Sequence, residues 1–270
     1  MYAIDFEYDG RYLSDYGFIV CSFDDTNGVN TVESGSEITF NTVPMHRGNK
    51  YSLTSTKYES CFAAEFCICK NPDVYDDKEI TDLEYREISK WLNRKEFLPF
   101  MAIDDDHDND ICYYDASFNL KKVKILEKVY GISLTMNTNK PFGYGELVEE
   151  YIDSDGSETV YEIENLSYEI GCTYPDIEIA IHHDIDTLTI TNITNGSIME
   201  LYNCMQGEII NIYGEPQIIE TSYNSHDICD DFNYEFLSLS NSLDDCVNQI
   251  KVSGSCSIKI SYYPINKSSL

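Results

Sequence analysis

Residues 102–115, AIDDDHDNDICYYD, crowd more side chains able to do chemistry into a short span than any other stretch of the chain. On a calcium-loop template, Asp104, Asp106, Asp108, Asp110 and Asp115 fall on positions one, three, five, seven and twelve, where oxygen ligands belong. Two positions depart from the template. The sixth, which needs glycine for a sharp turn, is Asn109, and the twelfth carries the short Asp115 in place of a bidentate glutamate. A calcium loop also sits between helices, whereas the flanks here, FLPFMAI and ICYYDASF, are aromatic or β-branched and bounded by turn formers. The run therefore reads as the solvated tip of a β-hairpin, with these five aspartates as its only cation candidates.

Other reactive residue types are sparse or poorly spaced. None of the ten cysteines forms a CxxC pair, so neither a zinc site nor a disulfide framework is indicated. In CFAAEFCIC, Cys67 and Cys69 alternate with Phe66 and Ile68, which puts both thiols on one strand face and predicts packed core cysteines. His182 and His183 are adjacent, so on a strand they point to opposite faces and cannot hold a metal together. There is no G-x-S-x-G, no P-loop, no H-E-x-x-H and no dinucleotide fingerprint. With 48 acids some carboxylate pair falls at glycosidase distance in any fold, so such pairs carry no weight. The expectation is a protein that is not an enzyme and takes no cofactor or metal.

The elements that must position these residues are strands. YGFIVCSF, EITFNTV, LKKVKILEKVYGISLTM, DIEIAIHH, DTLTITNI, EIINIYG and CSIKISYYP are each rich in β-branched and aromatic residues and separated by Gly, Asn, Asp or Pro. One segment predicts a helix, over about 81–95. Thr81 and Glu84 have the spacing of a capping box, Ile80 and Tyr85 that of a hydrophobic staple, and Tyr85, Ile88, Trp91 and Leu92 form an apolar stripe. Arg94 and Lys95 lie near its negative end.

Two domains fit 270 residues. Pro141, Gly143 and Gly145 interrupt the patterning at NTNKPFGYGE, giving domains of 1–140 and 141–270. Charge divides there too: residues 1–143 carry 15 Lys/Arg and 25 Asp/Glu, net −10, and residues 144–270 carry 3 and 23, net −20. Between Lys140 and Lys251 there is no Lys or Arg, so this half has little with which to neutralise phosphates, and neither nucleic acid nor an anionic membrane is an expected partner. No apolar run reaches the ~20 residues of a membrane helix, and MYAIDFEYDGRYLSDYG lacks a signal-peptide pattern. A soluble protein made in cytoplasm is expected. Twenty-two Tyr and twelve Phe suit wet partner faces and point to a part of an assembly.

At this point the residues resemble a family, the distal tail proteins of long-tailed (siphophage-type) bacteriophages. The resemblance rests on FEYDGRYLSDYGFIVCSF with its DG turn, HRGNKY at 46–51, the helix with Trp91 and Leu92, the hairpin LPFMAIDDDHDNDICYYDASF and KPFGYG at 140–145. It continues through ENLSYEIGCTYPDIEIAI, DTLTITN and NSLDDCVNQIKVSGSCSIKISYYP. Where the family carries a glycine, this chain has SLSNSLDDC. The resemblance implies a mainly β chain: an N-terminal β-sandwich or barrel-like domain with one helix, and a C-terminal galectin-like β-sandwich. It further implies a ring, hexameric, at the distal end of the tail tube, serving as hub for tail-tip, baseplate and host-adhesion proteins in the virion. Arg47, Lys122 and Lys124, among the few cations of an acidic chain, are then expected at subunit or tube contacts, with Lys122 and Lys124 on one strand face. The alternative from another class is a lectin-like sandwich that binds host glycans.

Overall fold

The computed structural model describes residues 4–21, 37–45, 48–57, 63–103, 111–157 and 159–267, with backbone alone for 37–45, 48–57 and residue 63. The chain separates into two compact units, 1–145 with 267–270, and 146–266.

The first unit is a sheet with one helix. Its strands are β1 (Asp5–Tyr8), β2 (Arg11–Tyr12), β3 (Phe18–Cys21), β4 (Glu37–Met45), β5 (Gly48–Lys57), β6 (Ala63–Lys70), β7 (Leu98–Ile103), β8 (Tyr113–Ile125), β9 (Lys128–Thr138) and β10 (Gly143–Tyr144), with helix α1 (Asp82–Leu92) between β6 and β7. Seven strands run in the order β2-β1-β7-β8-β9-β6-β3, with β10 beside β8 at Tyr144↔Tyr113. The sheet path stays open. One backbone bond, Val20 N–H to Ile4 C=O at 3.2 Å, still reaches from its last strand to the residue before β1, which gives the barrel-like curl without closure.

Alternation drives Phe6, Tyr8, Phe100, Phe118, Leu134 and Met136 to one face, where Trp91 and Leu92 of α1 cover them. Phe6 stacks on Trp91 with centroids 5.6 Å apart, and the indole N–H donates to the Tyr8 carbonyl at 3.0 Å, so the one tryptophan is buried without an orphaned donor. Many aromatics expected at a partner face thus form this core. The helix begins as expected: Glu84 N–H donates to Thr81 Oγ1 at 3.3 Å and Thr81 N–H to Glu84 Oε2 at 2.7 Å. It ends at Leu92 with Asn93 as cap, shorter than 81–95, and Arg94 lies beyond it in an ion pair with Asp9 at 3.2 Å.

Two local readings of the sequence are corrected. LKKVKILEKVYGISLTM is two strands, because Leu126 and Glu127 take φ of +48° and +70° and fold β8 onto β9 with Ile125 opposite Lys128. Cys67 and Cys69 lie on the face away from the core. The larger Phe66 and Ile68, with Lys70, take the inner face, and strand alternation leaves the thiols on the outer one.

The second unit is a sandwich. Its strands are β11 (Val148–Asp155), β12 (Thr159–Glu164), β13 (Gly171–Thr173), β14 (Asp176–Ile181), β15 (Ile185–Asn192), β16 (Ser197–Cys204), β17 (Ile209–Tyr213), β18 (Ile218–Thr221), β19 (Leu239–Asn241), β20 (Val247–Ser253) and β21 (Ser255–Tyr262). They form a five-stranded sheet β11-β21-β14-β17-β18, a four-stranded sheet β12-β20-β15-β16 and the pair β13-β19. Isoleucines at 152, 163, 177, 179, 190, 210, 250, 258 and 260 fill the space between the sheets. The buried amides are satisfied: Asn192 Nδ2 donates to Asn248 Oδ1 and to the Ser238 carbonyl, both at 2.8 Å. In SLSNSLDDC the turn holds without glycine, because Asp245 N–H donates to Ser242 Oγ and Ser242 N–H to the Asp245 carbonyl, both at 3.0 Å. The chain is thus mainly β, with one α-helix among the described residues.

Candidate functional site

Residues 104–110, and with them Asp104, Asp106, Asp108 and Asp110, lie outside the described residues. Their flanks are the strands β7 and β8, paired from Leu98↔Ala116 to Met101↔Tyr113, and not helices. Asp115 sits within β8, opposite Pro99, where its carboxylate accepts the Tyr144 hydroxyl at 2.9 Å. Among the described residues no group of three or more His, Cys, Asp or Glu is placed to hold a metal ion.

Of the three cations singled out, Arg47 lies outside the described residues. Lys122 and Lys124 pair with Ile132 and Val129, both buried, so they share the face that α1 covers, although an irregularity in register falls between Val123 and Lys124. Lys122 ties β8 to the helix: its Nζ is 3.1 Å from Asp82 Oδ1 and 4.1 Å from the Tyr85 ring centre. The hydrogen bond and charge of Lys122 hold the Asp82 carboxyl below its ordinary range. Lys124 is exposed. A second lysine has the opposite fate. Lys70 is buried, with Nζ 2.8 Å from Glu84 Oε1. Glu84 therefore serves the capping box with one oxygen and Lys70 with the other. Burial opposes its ionisation, but Lys70 and Thr81 outweigh that and depress its pKa.

The most open backbone is the β4–β5 ribbon. These strands pair only with each other among the described residues, from Glu37↔Lys57 to Met45↔Gly48, and each presents its other edge without a partner strand. Nine residues at ~3.3 Å each give a ribbon about 30 Å long. Open edges of that length are templates for pairing with another chain.

The sandwich offers two polar features. One is an open pocket of about 410 Å³ lined by Asp153, Asp155, Ser157, Thr159, His182 and Ser255 among others. His182 Nε2 lies 2.9 Å from Ser257 Oγ, which donates to Asp153 Oδ1 at 3.0 Å. The other is a cluster that sequence reasoning missed. Glu208, fully buried, faces His226 Nδ1 at 2.6 Å, accepts the Thr221 hydroxyl, and takes the Met205 N–H at 2.9 Å. His226 Nε2 faces Asp231 Oδ2 at 3.1 Å. Nothing in SYNSHDICDD marks that histidine as buried, because the fully buried partner, Glu208, lies 18 residues away, just before β17.

These features define a class of protein before they define a family: a β-rich chain of two units with an open-edged ribbon and no convergent catalytic constellation among its described residues. The family is fixed by comparison. Residues 1–140 match the family described as phage tail protein N-terminal domain, and residues 142–262 match its counterpart, the phage tail C-terminal domain. The chain belongs to this phage tail protein family. Its fold is that of the Dit protein of phage SPP1, known as a paradigm of the hub adsorption apparatus in phages infecting Gram-positive hosts. That likeness has a TM-score of 0.63 at 14% identity and covers 96% of this chain and 98% of that one. Chains of the phage P2 baseplate in its activated conformation align more loosely. The calcium form gives a TM-score of 0.42 at 8% identity, covering 97% of this chain and 98% of that one. The strontium form gives 0.40 at 8%, covering 96% and 97%. No curated protein matches.

Proposed function

We propose that this chain is the distal tail protein of its phage: a homo-oligomeric ring, hexameric, that joins the distal end of the tail tube to tail-tip, baseplate and host-adhesion proteins. The observation that carries this reading is the likeness to SPP1 Dit along nearly the whole of both chains, within a family of phage tail proteins. The open-edged β4–β5 ribbon supports it, since a closed ring satisfies strand edges between subunits. In this reading residues 1–140 form the ring and residues 141–270 the peripheral acidic sandwich. Arg47, Lys122 and Lys124 lie at or beside contacts, and the protein works by assembly, without catalysis, cofactor or retained DNA. It is made in the host cytoplasm and resides at the virion's tail tip.

Light scattering on the purified chain tests the ring. Six copies of 31.0 kDa give about 186 kDa, alone or after mixing with the tail tube protein of the same phage. A chain that stays at 31.0 kDa in both conditions overturns the proposal.

A further inference from the structure

Three cysteines meet on the outer face of the first unit's sheet, at a place that neither the metal reading nor the ring reading uses. Cys21 ends β3, and Cys67 and Cys69 lie on the neighbouring β6. The register puts Cys21 directly opposite Cys67 and Ile19 opposite Cys69, so all three thiols share one face, with Cys69 on the diagonal from Cys21. Directly opposed residues of antiparallel strands have Cα atoms about 4.5–5.5 Å apart, inside the roughly 4.4–6.8 Å range that a disulfide spans. The strand register therefore places Cys21 within disulfide reach of β6.

We propose that Cys21 is a disulfide-forming residue, oxidised across the β3–β6 pair to Cys67 or Cys69 by a peroxide. A β6 thiolate attacks one oxygen of hydrogen peroxide and the O–O bond breaks, leaving a sulfenic acid and hydroxide, which takes up a proton to become water. The Cys21 thiolate then attacks that sulfur, the S–S bond forms, and the S–O bond breaks with loss of a second water. Two electrons pass from the two sulfurs to the peroxide. Burial pushes the Cys21 thiol well above its ordinary pKa, with Cys69 and Cys67 adding to the effect, so the second step is slow at neutral pH and accelerates in mild alkali. The third cysteine of the cluster stays reduced beside the bond and can exchange into it.

The position gives the bond its consequence. β3 ends at Cys21 and β6 starts at Ala63, so the excursion carrying the β4–β5 ribbon leaves the sheet and returns to it at these strands. A bond here clamps the two roots of that excursion together.

The test oxidises the intact, folded chain with hydrogen peroxide, alkylates remaining thiols, digests without reductant and maps the peptides by mass. The expected result is a peptide pair joining Cys21 to the segment holding Cys67 and Cys69, lighter by two hydrogens and split by reductant. It forms faster in mild alkali and is absent from Cys21→Ser. A second variant, Cys67→Ser with Cys69→Ser, removes the same pair while leaving Cys21 open to alkylation. Full alkylation of all three thiols after peroxide overturns the proposal. So does a bond from Cys21 to any other cysteine, or sulfinic acid without a crosslink.

Discussion

At the scale of single residues, His226 carries the strongest consequence. Both of its ring nitrogens face carboxylates, Glu208 at 2.6 Å and Asp231 at 3.1 Å, and a ring can donate to both only when it is protonated. Burial disfavours the cation, but hydrogen bonds and charge from Glu208 and then Asp231 outweigh it and raise the pKa above the ordinary histidine value. A raised folded pKa means the contribution is fully present below the unfolded value of about 6.5 and is lost as pH rises through the folded pKa. Denaturant midpoints should therefore fall on the alkaline side of that window. His226→Gln should cost about 3 kcal/mol at mildly acidic pH, because it strands the buried Glu208, and should flatten the pH dependence. A variant that keeps the parent's pH slope would show that another group titrates. Glu84 has the opposite sign: its depressed pKa gives stability present above the unfolded carboxylate range and lost as pH falls through the folded value. Glu84→Gln should lower stability by about 2 kcal/mol in a thermal melt, through the weakened cap and the unpaired Lys70, which is only 7% exposed.

At the scale of elements, turn chemistry decides what could be read in advance. The DG turn was legible because Asp9 and Gly10 adopt φ of +52° and +70° between Tyr8 and Arg11, the two-residue hairpin geometry that Asp-Gly favours. The helix was legible because its cap, stripe and staple all agree in sequence. The turn from β8 to β9 was not, since Leu126 and Glu127 occupy the same left-handed region with no glycine or asparagine to announce it. Nor was the outward face of Cys67 and Cys69, because alternation says which residues share a face but leaves open which face meets the core. The His226 cluster was hidden for a third reason: Asp231 is near in sequence, but the buried Glu208 reaches the ring only through packing from 18 residues away, which no local pattern encodes. The unannounced turn yields a prediction. Non-glycine residues in that region carry roughly 1 kcal/mol of strain each, and Leu126 is 93% exposed, so it gives up no packing on replacement. Leu126→Asn with Glu127→Gly should raise the unfolding temperature measurably. A fall would show that the left-handed backbone at Leu126 and Glu127 is not the source of strain.

At the scale of the whole molecule, charge is the property that must be reconciled with a conduit. If the ring surrounds the channel through which the genome leaves, its wall must not grip duplex DNA, which carries one negative charge per ~1.7 Å and binds clustered Lys and Arg. Acidic residues meet that need by repulsion, but only within about 8–10 Å of the wall at ordinary salt. The distribution is uneven. The ring reading puts residues 1–143, net −10, around the channel and residues 144–270, net −20, at the periphery. The cations of the first half are partly spent within the fold: Lys70 on Glu84, Lys122 on Asp82, Lys128 on Glu79 and Arg94 on Asp9. Such pairing lowers the charge free to hold phosphates below what the count of lysines and arginines suggests. The intact chain should therefore leave duplex DNA unretarded in a gel shift at ~50 mM salt, where nonspecific contacts are strongest. On the same reading, the acidity of residues 144–270 would serve to dock a basic partner or to keep particles apart. DNA that is retarded at low salt and released at higher salt would remove both the conduit reading and the argument from acidic repulsion, and would make Lys124, exposed at the end of β8, the first residue to replace.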